Sequence, residues 1–249
     1  MINYIMLVVL HLIGDFYLQS SKMAQCKNAR INSTCKLCTD CEGKTNFNLK
    51  HIAFHSLAYT IPFLALFFLV EFKTAMIAIP AILVSHGLVD ILTCCLNNKY
   101  KQTLVFLLDQ AIHSVILFGC WNMFSFNHIP IKYELWIKVI FLMLLIMTPA
   151  SILISKLFFD VFGKEQKEES SKEKGIFDTG SVIGIFERIL VVILAYYNSF
   201  STIAIIITIK TWARSNDLKE DGFRNRYLLG TLASLVWAML SFILFQKIK

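Results

Sequence analysis

Residues 1–19 read MINYIMLVVLHLIGDFYLQ, an apolar run that carries a histidine and an aspartate in its second half. His11 and Asp15 are four residues apart, which is about one turn of a helix, so both side chains leave the same face. The same spacing recurs in other apolar stretches, at His51 and His55, His86 and Asp90, and Asp109 and His113. We therefore expect four helix-borne polar pairs around which the chain is organised.

The composition indicates that these pairs lie in a membrane rather than in water. The 249 residues are 56% hydrophobic and 16% charged, against about 25% charged in an average soluble domain. This predicts an all-α, polytopic integral membrane helical bundle. A spanning helix needs roughly 20 mainly apolar residues. The candidate spans are 1–19, 52–70, 74–96, 104–124, 135–159, 179–197, 199–212 and 227–245. We predict about eight transmembrane helices, with six or seven as alternatives because the seventh stretch is short.

Basic residues set the predicted topology. The formal net charge is +7, and most of the Lys and Arg outside the spans fall in the odd-numbered loops. The positive-inside rule places those loops in the cytoplasm and both termini outside a cell membrane, so nucleic acid is not an expected partner. The predicted organisation is a front five-helix part at 1–159 with a Cys-rich cytoplasmic loop at 20–50, a charged cytoplasmic linker at 160–178 and a rear three-helix part at 179–249.

This topology puts all four pairs at a similar depth in the cytoplasmic leaflet. An ionisable side chain in a membrane helix costs about 2.5–3.5 kcal/mol on insertion scales, so we expect the pairs to face one another. Imidazole and carboxylate groups suit zinc, with manganese or iron as alternatives. The predicted metal ligands are His11, Asp15, His51, His55, His86, Asp90, Asp109 and His113.

Eight ligands exceed what one tetrahedral ion needs, so either two ions bind or some of the residues orient ligands and act as general bases. Asp15 and Asp109 are the candidate catalytic residues in this group. Buried ion pairs without a metal are an alternative, and haem is another, although the aspartates favour harder cations than haem iron held by histidines.

The first loop carries a second group of potential ligands. Cys26, Cys35, Cys38 and Cys41 follow the spacing C-x8-C-x2-C-x2-C. On the reducing side of a membrane such thiols are metal ligands more readily than disulfides, and four cysteines suit a structural zinc ion. Unligated thiols remain the alternative.

Charged residues return to the membrane in the rear part. Glu187 and Arg188 lie about two turns inside the sixth span, and Lys210 and Arg214 lie one turn apart at the end of the seventh. Arg188, Lys210 and Arg214 are candidates for binding an anionic group such as a lipid phosphate, and Glu187 is a further candidate catalytic residue. The alternative is a structural ion pair with side chains that reach towards the membrane surface.

These motifs resemble a known family. His11 to Gln19, His51-x3-His55, His86-x3-Asp90 and Asp109-Gln110-x2-His113 are similar to the bacterial membrane family of domain of unknown function 3307 over roughly the first half of the chain. The resemblance implies a bacterial inner-membrane location but no activity. A more distant similarity to membrane-bound metal-dependent hydrolases implies hydrolysis by analogy only. The Cys-rich loop departs from the family pattern, so its role is not implied.

Some activities lack their motifs. The sequence contains no phosphate-cradling glycine-rich loop, no Gly-x-Ser-x-Gly elbow and no His-Glu-x2-His helix. The first hypothesis is a metal-dependent hydrolase that acts on a phosphoester or related bond at the cytoplasmic leaflet. The alternatives are a divalent-metal or proton-coupled transporter and a non-catalytic membrane module braced by metal. The sequence leaves the oligomeric state open.

Overall fold

The computed structural model describes residues 1–19, 49–96, 100–127, 129–163 and 179–248, with the backbone alone for 49–51 and 179. Every regular element in these residues is helical, which confirms the predicted all-α class. The α-helices are α1 Ile2–Leu12, α2 Leu49–Thr60, α3 Leu66–Leu69, α4 Phe72–Leu96, α5 Gln102–Met123, α6 Ile131–Ile146, α7 Thr148–Phe162, α8 Thr179–Tyr196, α9 Phe200–Ala213 and α10 Asp221–Lys247. A π-helical turn at Ile13–Tyr17 continues α1, and 3-10 turns occupy Pro62–Ala65 and Asp217–Lys219.

Several of these elements could cross a bilayer. Among the described residues, the helical stretches long and apolar enough are Ile52–Leu69, Phe72–Leu96, Gln102–Met123, Ile131–Phe162 and Asp221–Lys247. The apolar helices Ile2–Tyr17 and Phe200–Ala213 are shorter. Five such stretches are compatible with the predicted multi-pass membrane protein, while the count of eight spans stays a prediction.

The fifth predicted span is interrupted. The backbone leaves helical geometry at Met147, between α6 and α7, and Pro149 lies in the first turn of α7. Proline has no N–H to donate, so it is tolerated at a helix start but deprives the carbonyl four residues earlier of its partner. A sequence that reads as one apolar helix therefore folds as two, and carbonyl groups at the break need other donors.

The first helix changes its winding where it carries Asp15. The Leu18 N–H donates to the carbonyl of Ile13 at 3.1 Å, five residues back, and Ile13–Tyr17 forms a π-helical turn. A π-turn widens the helix and rotates the side chains that follow it, and such turns are frequent at functional sites. The direction of Asp15 relative to His11 is therefore not that of a regular α-helix.

Contacts divide the chain into two compact units, Met1–Phe141 and Leu142–Lys249. The first unit has an apolar core built from Leu7, Leu10, Tyr59, Phe63, Leu66, Val70, Ala75, Ala78, Ile82 and Leu117. The second unit has its own core of Leu142, Ile146, Val192, Ala195, Ile203, Ala238 and Phe242. The division predicted at 160–178 stays a prediction, because residues 164–178 lie outside the described ones.

Candidate metal centre

The predicted ligands with described side chains come together inside the first unit. They lie on α1 and its π-turn, α2, α4 and α5, and most are almost completely buried; the set is His11, Asp15, His55, His86, Asp90, Asp109 and His113. The backbone of His51 lies in α2, and its side chain lies outside the description. The four cysteines of the first loop also lie outside the described residues, so their zinc site stays a prediction.

Asp15, His55 and His86 form the centre of this cluster. Each offers one ligand atom, and the three atoms lie within 4.8 Å of one another. The His55 Nε2 atom lies 3.2 Å from Asp15 Oδ1 and 3.1 Å from His86 Nε2. Two imidazole nitrogens this close either share one proton or bind the same cation.

Asp90 adds a second carboxylate to the centre. Its Oδ2 atom lies 3.5 Å from His86 Nε2 and 3.7 Å from His55 Nε2. Asp90 is 2% exposed, and the two histidines are at most 1% exposed. A carboxylate in such surroundings stays ionised only beside a compensating positive charge or strong donors. Both imidazole edges that face Asp90 can be donors or metal ligands.

Two of the separations among these atoms are close to those of a tetrahedral ion's ligands. Zinc binds imidazole nitrogen at about 2.0–2.1 Å, so neighbouring ligand atoms of a tetrahedral site are about 3.3 Å apart. The contacts of His55 Nε2 with Asp15 and His86, at 3.2 and 3.1 Å, lie close to that edge length. Three protein ligands leave a fourth position for water, which is the usual arrangement in catalytic zinc sites.

Gln110 holds Asp15 from the other side. Its Nε2 group donates to Asp15 Oδ2 and to Asp109 Oδ2, both at 3.0 Å. Its Oε1 atom accepts from His11 Nε2 at 3.2 Å. Because both amide hydrogens of Gln110 are donated to carboxylates, its oxygen faces His11. An amide oxygen can only accept, so His11 is the donor in that contact. Asp15 is thus fixed through Oδ2, which leaves Oδ1 for the centre.

His11 supports the cluster from a second layer. Its Nδ1 atom contacts the Tyr59 hydroxyl at 3.1 Å, and its Nε2 atom contacts Gln110. Both ring nitrogens therefore face these two side chains rather than the group of Asp15, His55 and His86. These contacts suit an orienting part for His11, and the ligand position predicted for it stays a prediction.

A second chain of contacts runs from His86 to α5. The His86 Nδ1 atom lies 2.7 Å from His113 Nε2, and His113 Nδ1 lies 2.9 Å from the main-chain carbonyl of Asp109. The Asp109 carboxylate lies 3.8 Å from His113 Nδ1 and keeps 16% side-chain exposure. Asp109 and His113 thus border the centre, and both their side chains contact other cluster residues.

Tyr59 and Gly14 complete the site, although sequence reasoning did not include Tyr59. The Tyr59 ring stacks on the His86 ring, with centroids 3.6 Å apart and planes 5° from parallel. A Cβ atom on Gly14 would lie 2.6 Å from the Tyr59 carbonyl oxygen, so glycine permits the close approach of α1 to α2. The signal for Tyr59 was its spacing, since it lies four residues after His55.

Arg188 of the second unit contacts the junction between α6 and α7. Its guanidinium group donates to the carbonyls of Ile146 and Met147 and to the hydroxyls of Ser151 and Ser234. These carbonyls lie at the junction of α6 and α7, where helical bonding is interrupted. Arg188 is 2% exposed. These contacts match the structural alternative, and the anion binding predicted for Arg188 stays a prediction.

Other charged residues predicted for this region are also engaged. Lys210 Nζ lies 2.7 Å from Glu187 Oε2, with each side chain about one quarter exposed. The Arg214 guanidinium lies 5.9 Å from the centroid of the Phe223 ring. This matches the alternative of a structural ion pair, while the anion site and a catalytic part for Glu187 stay predictions.

The family comparison covers the region that holds the cluster. Residues 4–139 match the family described as "Protein of unknown function (DUF3307)". The chain belongs to this family. The matched residues include the whole polar cluster of the first unit. No curated protein and no solved structure matches the chain, so the expected similarity to metal-dependent hydrolases is neither supported nor contradicted.

Proposed function

We propose that this DUF3307 protein is a membrane-embedded metalloprotein that binds one divalent cation, zinc by preference, through Asp15, His55 and His86. The observation that carries the proposal is the convergence of three ligand atoms within 4.8 Å of one another. A carboxylate and two imidazoles form the borderline ligand set that zinc favours, and manganese and iron are the alternatives.

The same centre supports hydrolysis as its chemistry. When bound in a site with three protein ligands, such an ion acts as a Lewis acid and activates water at neutral pH. Asp90 lies within 3.7 Å of both imidazole Nε2 atoms, a position from which its carboxylate accepts a proton from water in the centre. Gln110 holds Asp15 in place during this step.

The proposed substrate is a phosphoester or a related bond of a membrane lipid at the cytoplasmic leaflet of a cell membrane. The charge pattern supports this location, because the odd-numbered loops carry most of the Lys and Arg outside the spans. In this topology both termini lie outside. Asp109 is the partly exposed member of the cluster and marks its most accessible side.

A divalent-metal or proton-coupled transporter is the second candidate. The observation in its favour is the enclosure of the centre, since His55, His86 and Asp90 are 0%, 1% and 2% exposed. A closed polar centre in a membrane bundle suits an ion in transit or a bracing metal better than a bulky substrate. The two candidates share the metal site and differ in what reaches it.

Metal content tests the shared part. We would purify the protein in detergent with Cys26, Cys35, Cys38 and Cys41 replaced by serine, so that the first loop contributes no thiolate, and measure metals by elemental analysis. We expect about one zinc per chain, loss of that zinc in Asp15→Asn, and retention in Glu134→Gln, an acidic control on α6 outside the cluster. Zinc that is absent from the parent protein, or unchanged in Asp15→Asn, contradicts the proposal.

Reconstitution then separates the candidates. Zinc-loaded protein in liposomes of anionic and neutral phospholipids is assayed for phosphoester cleavage and, in parallel, for zinc and proton flux with trapped dyes. Cleavage that is lost in Asp90→Asn while zinc is retained supports the hydrolase. Flux without cleavage supports the transporter, and neither activity in a zinc-loaded protein supports the metal-braced module.

A further inference from the structure

We propose that His113 is a positioning residue that fixes the tautomer of His86, so that His86 presents an unprotonated Nε2 atom to the centre. This inference rests on the proposed metal site and names the residue that prepares one of its ligands. Its basis is the geometry of His86, His113 and the Asp109 carbonyl, which involves donors and acceptors whose roles can be worked out.

The starting point is the main-chain carbonyl of Asp109. A carbonyl oxygen can only accept a hydrogen bond, and His113 Nδ1 lies 2.9 Å from it. His113 Nδ1 must therefore carry a hydrogen. In a neutral imidazole the other nitrogen is then an acceptor, so His113 Nε2 offers a lone pair. The backbone of α5 thus sets which nitrogen of His113 is protonated.

The contact between His113 and His86 then determines which nitrogen of His86 is protonated. His86 Nδ1 lies 2.7 Å from His113 Nε2, and because His113 Nε2 is an acceptor, His86 Nδ1 is the donor. Neutral His86 then has no hydrogen on Nε2. That atom lies 3.1 Å from His55 Nε2 and 3.5 Å from Asp90 Oδ2, where only an unprotonated nitrogen can bind a metal ion.

The position of the ring is fixed independently of its tautomer. Tyr59 stacks on the His86 ring in nearly parallel planes, which restricts rotation of the imidazole. His113 supplies what stacking cannot, since a ring face has no means of distinguishing the two nitrogen atoms. The two neighbours thus divide the task, with Tyr59 setting the orientation and His113 the protonated nitrogen.

Nitrogen-15 NMR tests the tautomer directly. The metal-free protein is labelled at its six histidines, and single His→Gln variants assign the signals. We expect His86 to show a protonated Nδ1 and an unprotonated Nε2 in the parent protein, and His113→Leu to lose this preference. A His86 protonated at Nε2 in the parent protein, or an unchanged tautomer in His113→Leu, overturns the inference.

Metal affinity supplies the second measurement. His113→Leu is expected to weaken zinc binding by about 10- to 100-fold, as loss of outer partners of ligating histidines does. His113→Gln should recover most of the affinity, because its amide oxygen can accept from His86 while its NH2 group donates to the carbonyl. Failure of the amide to restore affinity, in a folded variant, counts against the inference.

Leu117→Ala is the matched control. Leu117 lies one turn after His113 on α5 and is 2% exposed in the apolar core. Its truncation therefore disturbs packing without removing the hydrogen bonds that link the Asp109 carbonyl, His113 and His86. We expect it to leave the tautomer and the zinc affinity unchanged. The tautomer measurement needs no metal, so a protein that binds no zinc contradicts the proposed function and leaves this inference standing or falling by itself.

Discussion

The two units place buried polar side chains for opposite purposes. In the first unit, Asp15, His55 and His86 turn their ligand atoms towards one another. In the second unit, Arg188 turns its guanidinium to the carbonyls of Ile146 and Met147, where a helix is broken. The first arrangement brings carboxylate and imidazole groups together. The second directs guanidinium donors to main-chain carbonyls and to hydroxyls.

This contrast distinguishes two ways in which apolar helices hold buried polar side chains. A buried cation that donates to carbonyls and hydroxyls satisfies polar groups of the chain itself. Carboxylate and imidazole groups that converge on each other can be held together by a cation or by shared protons. The sequence marks both kinds in the same way, as charges inside apolar stretches.

The largest expected effect is the loss of a central ligand. His86→Ala should weaken zinc binding by about 100-fold or more, equivalent to about 3 kcal/mol. The substitution removes one ligand of the ion and also the ring that stacks on Tyr59. Competition with a chelating dye measures the affinity. Zinc binding within a few-fold of the parent protein would show that the centre is an ion-pair network rather than a metal site.

The matching change in the second unit should act on stability instead. Arg188→Leu removes a donor from the carbonyls of Ile146 and Met147 and from the hydroxyls of Ser151 and Ser234, and we expect it to cost about 2–4 kcal/mol of unfolding free energy. Denaturant titration in detergent measures the cost, and zinc content should be unchanged. An Arg188→Leu protein of normal stability that loses binding of phosphate-bearing lipid would instead favour the predicted anion site.

Gly14→Ala tests the packing behind the proposed metal centre. The new Cβ atom would meet the Tyr59 carbonyl oxygen at 2.6 Å, so we expect overpacking to cost about 1–3 kcal/mol. Because Tyr59 stacks on His86, zinc affinity should fall together with stability. As a control, Gly119→Ala adds the same methyl group inside α5 where nothing lies within 4 Å. It should leave zinc affinity unchanged and should not lower stability, because alanine is favoured over glycine in a helix interior.

The smallest effect is expected at the ion pair of the second unit. Lys210→Met removes a contact of 2.7 Å with Glu187 between side chains that are about one quarter exposed. Partly exposed ion pairs contribute about 0–1 kcal/mol, so the melting temperature should shift by only a few degrees at most. A much larger loss, or loss of hydrolysis with Glu187→Gln, would give this pair a part in function.

Periodicity and composition predicted much of the architecture and membership of the cluster. Four-residue spacing identified His86 with Asp90 and Asp109 with His113, because one helical turn brings such residues to one face. The apolar runs identified the helices. Both signals are local, and each needs only the regular geometry of a single helix.

Most of the remaining features depend on contacts between helices, which no local pattern encodes. The π-turn that carries Asp15 and the break at Met147 are departures from regular winding, and of the two the break has a local signal in Pro149. The division of Gln110 between two carboxylates and His11 depends on three elements meeting. The structural use of Arg188 could not be separated from anion binding, because a sequence does not say which carbonyls lack a donor.

The π-turn at Ile13–Tyr17 makes the direction of Asp15 depend on where in the first helix a residue is deleted. Such a turn holds about one residue more than an α-helical turn, so it can absorb the loss of one residue by returning to regular winding. A residue deleted from the regular turns of α1 would instead rotate everything beyond it by about 100°. Asp15 would then point away from His55 although no ligand had been replaced. In a deletion scan of this helix that keeps Asp15, zinc content should therefore depend on which turn loses a residue.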